Sequence, residues 1–305
     1  MAPVAVGAAR RIRRPLQRAG LTRSAVIRRV AQVGHPRLRA LRAHAMRGDG
    51  ARARLLRGAF EQLERGTISV PQGHAAGLRF HLRHLTLAHA HLGGIAYGVL
   101  ETSVQEALVR HLGPGGVLYD VGANLGFFAL LGARLAGPDG HVYALEPAPE
   151  NAQAIRDHAA LNRIENLTVL ELAAGAAAGR ARLQIVDDRS WSKLEGYGAH
   201  PGTERVVEVD VTAIDDLVRD GALRPPTLIK IDVEGAELDV LAGLRETLAR
   251  HRPAIVCELH GTHAAFAAAM AAHGYRVINL EGTAPIQAAP ESEHALALPA
   301  LDPGD

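Results

Sequence analysis

At 305 residues the chain has room for one large domain with an extension, or for two domains. Apolar residues make up 48% of it and aromatics only 4%, so the core must be Ala, Leu and Val; the single cysteine, Cys257, excludes an internal disulfide and a cysteine-based metal cluster. The net charge of +2 conceals a split, because residues 1–60 carry fifteen arginines against one acid, Asp49, and the remaining residues are acidic overall.

The basic segment comes first. Residues 1–20 are Arg-rich with Gly and Pro, show no period, and are expected to be disordered. From 23 to 66 the composition turns to Ala, Leu and Arg and predicts helices, broken near Gly34-His35-Pro36 and Gly48-Asp49-Gly50. Three readings stand for this extension: a grip on nucleic acid or an anionic membrane, an organelle transit peptide, or an incidental flexible segment. No aromatics interleave the arginines, and all but two of the chain's 34 basic residues are arginine, which favours the incidental reading. The same habit suggests a GC-rich bacterial genome. Arginines at 10, 11, 13 and 14 interrupt any signal-peptide core, and no apolar stretch has the length of a membrane span, so a cytoplasmic enzyme is expected. The boundary of the extension is placed at 66/67, with one domain from 67 to 305.

Residues 67–92 contain Ile68-Ser-Val-Pro and Leu78-Arg-Phe-His-Leu, a predicted hairpin. Gly98-Val-Leu-Glu101 leads into a predicted helix over 102–112, which ends at Gly113-Pro114-Gly115-Gly116.

The next stretch organises the rest. Val117 to Val121 is a short apolar run with Asp120 near its end; Gly122, Ala123, Asn124 and Gly126 follow, and Phe127 to Ala136 reads as an apolar helix. Strand, small-residue turn and helix make the first half of a βαβ unit. Glycines let a ligand approach the backbone, and unpaired N–H groups at a helix start favour an anionic group there. The spacing is D-x-G-x-x-x-G, with Asn124 where a dinucleotide fingerprint has its middle glycine. Glu146 closes the next strand, His141 to Glu146, where an acid can accept hydrogen bonds from both hydroxyls of a ribose.

Strands and helices then alternate. Strands are predicted at 167–172, 180–186, 205–211, 228–232, 254–259, 275–280 and 294–298, and helices at 149–162, 212–219, 235–250 and 262–273. The pattern predicts an α/β, doubly wound, mostly parallel seven-stranded sheet, with the helix-free 275–298 region as an antiparallel edge. Asp120, Glu146, Asp232 and Glu258 then fall at the ends of apolar strands, the rim where such sheets bind ligands. An acid there is often only a helix cap, and Asp232 or Glu234 before Gly235 can be read that way.

Asp-Val-Gly-Ala-Asn-Leu-Gly (120–126), Leu-Glu-Pro (145–147) and above all Leu-Ile-Lys-Ile-Asp-Val-Glu-Gly-Ala-Glu (228–237) resemble the FkbM family of S-adenosylmethionine-dependent methyltransferases. Gly98-x-x-Glu101 and Glu258-Leu-His260 also look like family features. The resemblance covers roughly 95–260, and it implies a Rossmann-like fold, S-adenosylmethionine as cofactor, and O-methylation of a hydroxyl on a natural product, sugar or lipid. It implies a cofactor site at Glu101, Asp120, Gly122, Asn124, Gly126, Glu146, Pro147, Ala173, Ala174 and Asp232.

A hydroxyl nucleophile needs a base, and the candidates are His260, Asp232, Glu234 and Glu258. His260 is expected to gain a modestly raised pKa from one adjacent carboxylate. Lys230 is expected to alternate away from Asp232 and to serve in sheet packing or a salt bridge. No metal is assigned, although a divalent ion held by Asp232 and neighbouring acids stays open as an alternative. A nucleic-acid methyltransferase using the Arg-rich tail and a non-catalytic binding protein remain alternatives, although an Asn-Pro-Pro-Tyr motif is absent. The acceptor would be chosen by loops such as 187–204. Deleting residues 1–60 should leave methyl transfer to a small acceptor intact, because every strand-end carboxylate lies beyond them; an activity assay and circular dichroism of the truncated chain check this, and loss of folding would make the tail part of the core.

Overall fold

The computed structural model describes residues 65–85, 92–186, 192–197, 203–290 and 293–300, together with Gly50 and Arg54. The expected tail disorder at 1–20, nearly all of the predicted helical segment 23–66, and the 187–191 part of the polar loop lie outside the described residues. The chain divides between Leu100 and Glu101 into two compact units.

In the first unit the predicted hairpin is present. Strands β1 (Thr67–Ser69) and β2 (Arg79–His81) pair antiparallel, with Ile68 opposite Phe80, both fully buried. A short helix follows, α1 (Leu92–Tyr97), which buries Leu92, Ile95 and Ala96. It was not anticipated, because Gly93 and Gly94 give it no helix propensity.

The second unit begins with α2 (Thr102–His111), then β3 (Val117–Val121), α3 (Phe127–Ala136), β4 (His141–Leu145), α4 (Pro149–Asn162) and β5 (Leu167–Leu170). Four strands, β6 (Ala173–Ala174), β7 (Gly179–Val186), β8 (Ser192–Leu194) and β9 (Thr203–Thr212), leave the main sheet and form their own, ordered β6-β9-β7-β8. After α5 (Ile214–Arg219) the chain returns through β10 (Leu228–Ile231), α6 (Glu237–Ala242), α7 (Arg245–His251), β11 (Ala254–Glu258), α8 (His263–Ala272), β12 (Tyr275–Asn279), a 3₁₀ turn (Ile286–Ala288) and β13 (His294–Pro299).

The main sheet has the expected seven strands, ordered β12-β13-β11-β10-β3-β4-β5. From β11 to β5 every pairing is parallel. Only β13 runs against the others, and it lies between β11 and β12 rather than at the edge. The helix α8 carries β12 back parallel, so the helix-free return must be the reversed strand. Winding reverses between β3 and β10, which are neighbours, and the crevice beyond their carboxyl ends is the binding position for this topology.

Alternation sets which side chains go where. Val117, Tyr119, Val121, Ile229, Ile231, Ile255 and Cys257 join one apolar cluster. Asp120 and Lys230, which pair in register, face the opposite side, where the Lys230 ammonium stands 5.1 Å from the Phe128 ring centroid of α3. Asp120 is therefore inside its strand and fully buried, not at the exposed rim as expected.

The single helix expected over 235–250 is two, α6 and α7, separated at Gly243-Leu244. Leu241, Leu244 and Leu248 are all buried as the periodicity requires, so the break does not come from the apolar pattern. It is stabilised from elsewhere. The Asp215 carboxylate accepts the backbone N–H groups of Glu246 and Thr247 at 2.8 Å each and the Thr247 hydroxyl at 2.6 Å. Asp215 thus caps the second helix from a distant point in the chain, and its own N–H donates to the Gly243 carbonyl at 2.9 Å. Asp215→Ala should lower the unfolding free energy by about 1–2 kcal/mol, as loss of an N-cap does; urea denaturation of the variant against wild type measures it.

Candidate active site

The turn after β3 is shaped by close backbone approach. Gly122 has φ 78°, and a Cβ there would stand 1.8 Å from the Asp232 carbonyl oxygen after β10. Only glycine lets the two strand ends meet. Asn124 is also left-handed, at φ 51°, and Gly126, at φ 81°, leads directly into α3. The backbone N–H of Asn124 donates to Glu146 Oε2 at 2.7 Å, and that of Ala148 donates to Oε1 at 2.9 Å. Glu146, just past β4, therefore locks the glycine turn to the next strand end. Each of its oxygens keeps acceptor capacity, since a carboxylate offers about four lone-pair sites. Burial pushes its carboxyl up to about 7, against the hydrogen bonds from Ala148 and Asn124, which lower it. Pro147 follows it, half-buried, at the start of the bend into α4. Ala173 and Ala174 form β6, paired with Val211 and Thr212 of β9, and are buried.

Behind this turn lies the charge centre. Lys230 Nζ donates to Asp232 Oδ2 at 3.0 Å and stands 3.8 Å from Asp120 Oδ1. Side chains two apart on a strand share a face, so the expectation that Lys230 turns away from Asp232 was wrong, while its reading as a salt bridge was right. Burial would lower the Lys230 pKa, but Asp232, Asp120, Glu101 and Glu258 outweigh it and hold the ammonium charged. Burial raises the Asp120 carboxyl to about 6, although Lys230 and the backbone N–H of Ala129 pull it down. Burial raises Asp232 as well, with Glu258 and Glu101 adding to it against Lys230.

The rim carries a second group. Glu234 is left-handed, at φ 56°, and its Oε2 lies 3.4 Å from His260 Nε2. Glu258 Oε1 is also 3.4 Å from that nitrogen. The other ring nitrogen, Nδ1, is 2.9 Å from Glu237 Oε1, which also accepts the Gly235 N–H at 2.8 Å, while Glu237 Oε2 accepts the Thr262 hydroxyl at 3.0 Å. Three carboxylates surround His260 where one was expected. Burial would lower its pKa, but Glu237, Glu258 and Glu234 outweigh it and raise it to about 10, far beyond the expected modest rise. Burial lifts Glu234 to about 7. Glu258 is held well below the usual carboxylate range: burial opposes this, and His260, His294 and Lys230 overcome it.

Two groups were missed in the sequence. Lys193 and Tyr197, on and after β8, approach Gly235, and the Tyr197 hydroxyl donates to Asp239. His294 stands opposite Glu258 in register, its Nε2 3.5 Å from both Glu258 Oε2 and Glu101 Oε2. An antiparallel strand beginning with histidine was the available signal. Its first residue lands at the carboxyl end of a parallel neighbour. Glu101, itself left-handed at φ 40°, thus sits with Glu258 and His294.

These residues fit a cationic cofactor. Asp232, Asp120, Glu101 and Glu258 surround the Lys230 ammonium, and a site lined by carboxylates suits a sulfonium and disfavours the pyrophosphate of a dinucleotide. The strand-end acid, the glycine turn and the switch-point topology are those of a Rossmann-like nucleotide-binding fold, the class to which S-adenosylmethionine-dependent methyltransferases belong.

Residues 120–277 match the model of the methyltransferase FkbM domain, and the chain belongs to that family. It is 29% identical over 226 residues to the 31-O-demethyl-FK506 methyltransferase FkbM of Streptomyces tacrolimicus, covering 63% of this chain and 86% of that protein. It is 29% identical over 149 residues to the hexuronic acid methyltransferase AglP of Haloferax volcanii, covering 48% of this chain and 58% of that one. The crystal structure of methyltransferase FkbM from Methylobacillus flagellatus aligns at 18% identity and a TM-score of 0.41, over 81% of this chain and 60% of that one. The chain thus spans about three fifths of the length of the last two.

An acid accepts ribose hydroxyls best when ionised, so S-adenosylhomocysteine affinity should fall as pH drops below about 7, by about tenfold per pH unit. In Glu146→Gln that fall should disappear and binding at pH 8 should weaken by about 1.5–3 kcal/mol, the value of a charged acceptor. Calorimetry between pH 5.5 and 8 checks both; an unchanged pH profile in the variant would remove Glu146 from the ribose.

Proposed function

We propose that the protein methylates a hydroxyl group on a small molecule, with Gly122, Asn124, Gly126 and Glu146 holding the adenosine end of the cofactor and the Asp232–Glu234–His260 rim receiving the acceptor. The observation that carries the reading is the joint made by Glu146, which accepts backbone N–H groups from both Asn124 and Ala148 beside the Gly122–Asp232 approach. The names of the two relatives point the same way: one acts at an O-demethyl position, the other on a hexuronic acid. The cofactor supplies a methyl group on a sulfonium for in-line displacement, so positioning carries much of the rate. Asp120, Pro147, Ala173 and Ala174 are assigned to the cofactor side, and Glu101, grouped with Glu258 and His294, borders it.

The remaining task is the acceptor proton. Both His260 ring nitrogens face carboxylate oxygens, so both act as donors, and no lone pair is left to take a proton. We therefore assign the base to Glu234, whose exposed edge lies on the rim, with His260 and Glu237 fixing its position. Lys230 acts electrostatically, keeping Asp232 ionised behind the reacting atoms. The second sheet brings Lys193 and Tyr197 beside Gly235 and would line the acceptor side.

Methyl transfer is tested by mass spectrometry of a panel of hydroxyl-bearing natural products, sugars and lipids incubated with S-adenosylmethionine. Glu234→Gln should lower turnover by about 10²–10⁴ while leaving S-adenosylhomocysteine affinity nearly unchanged. A larger loss in His260→Gln than in Glu234→Gln would return the base role to His260. Methylation of nitrogen or carbon but not oxygen across the panel would sink the O-methyltransferase reading.

A further inference from the structure

His294 is not needed by the mechanism above, yet it is among the most completely buried polar side chains at the site, at 4% exposure. Its two nitrogens differ sharply. Nδ1 is 2.5 Å from Glu281 Oε1, and Glu281 in turn accepts the Glu293 backbone N–H at 2.6 Å through Oε2. Nε2 and Glu101 Oε2, which it faces, are both sealed from solvent, and neither makes a close, well-aligned hydrogen bond. Nε2 stands 3.5 Å from Glu101 Oε2 and 3.5 Å from Glu258 Oε2.

Those separations decide between two arrangements. A charge-assisted N–H···O bond closes to about 2.7–2.9 Å, shorter than either separation. Donor atoms held about 2.1 Å from one cation at the tetrahedral angle stand about 3.4 Å apart. The observed spacing is that of ligands around an ion. The other half of the pattern is also present, because a metal-binding imidazole commonly gives its far N–H to a carboxylate, as Nδ1 does to Glu281. The three donor atoms lie within 4.8 Å of one another.

The geometry points to a divalent-cation site formed by Glu101, Glu258 and His294, with Glu281 orienting the histidine from outside. One imidazole and two carboxylates suit Zn²⁺ or Mn²⁺ better than Mg²⁺, which prefers oxygen and water. Such an ion would join the turn before α2 to the ends of β11 and β13. It would hold one oxygen of Glu258 and leave the other, Oε1, turned toward His260. It would also offset the excess of carboxylates around Lys230.

The test uses the full chain, stripped with a chelator and dialysed against Zn²⁺ or Mn²⁺, with bound metal counted by mass spectrometry and the melting temperature followed in parallel. Wild type should retain about one equivalent and melt higher with the metal. Glu101→Gln and His294→Gln should abolish retention, and Glu281→Gln should weaken it about 10–100-fold, as loss of an outer partner does. Glu234→Gln should retain the ion, because it belongs to the neighbouring cluster of Asp232, Glu234 and His260. If His294→Gln does not fold, Glu101→Gln and the wild-type stoichiometry still decide. Absence of retained metal in wild type overturns the site and leaves His294 an imidazolium among carboxylates. Retention unaffected by Glu101→Gln, or lost only in Glu234→Gln, overturns it in favour of the other cluster.

Discussion

One buried ammonium holds this site together. Lys230 is 4% exposed and lies between Asp120 on β3 and Asp232 after β10, the two strands at which the winding reverses. Three charges in an apolar sheet are stable only as a set: removing one leaves the others unpaired, at a cost of about 3–5 kcal/mol. The Asp232 backbone, bonded through its N–H to the Val121 carbonyl at 3.0 Å, brings its own carbonyl so near Gly122 that the turn there requires glycine. Glu146 then fastens that turn to β4. The turn proposed to cradle the cofactor thus lies between two central strands that neutralise each other's buried charges.

The sequence made the frame readable because the frame is local. A run such as Val117 to Val121 followed by glycines announces strand, turn and helix within a dozen residues. Strand order follows from winding rules, and the family motif at 228–237 named the fold outright. Glu146, Asp232, Glu234, Glu258 and His260 were found because each lies at or just beyond the end of an apolar run. Three features escaped for the opposite reason. The gap between α6 and α7 depends on Asp215, about thirty residues away in sequence. The departure of residues 173–212 into a separate sheet depends on β7 and β9 pairing with each other rather than with β5. His294 reaches the rim only because β13 is reversed. The protonation of His260 was misjudged for a related reason. Glu258 is its sequence neighbour, but Glu237 and Glu234 reach it from across a strand crossing.

Backbone strain marks the same places. Among the described residues, five non-glycine positions have positive φ, and Glu101, Asn124 and Glu234 are three of them. Each lies at the candidate site, Glu101 and Glu234 through their carboxylates and Asn124 through its backbone N–H to Glu146, where glycine would have been the unstrained choice. Strain of about 1–3 kcal/mol per residue persists only where the surroundings impose it. Here the neighbours are visible: Glu146 holds Asn124, and His260 faces Glu234. The site is therefore set before any ligand arrives.

The interruption between α6 and α7 has a mechanical meaning. A continuous helix over 235–250 would act as a lever, transmitting any shift of the Glu234–Gly235 corner along its full length into the sheet. With the break, α6 is a six-residue block tied at its front by Glu237 to His260 and Thr262, while α7 is anchored separately through Asp215. The corner and the helix behind it are thus anchored independently, α6 through Glu237 and α7 through Asp215, and a strain at one is not carried along a continuous helix into the other.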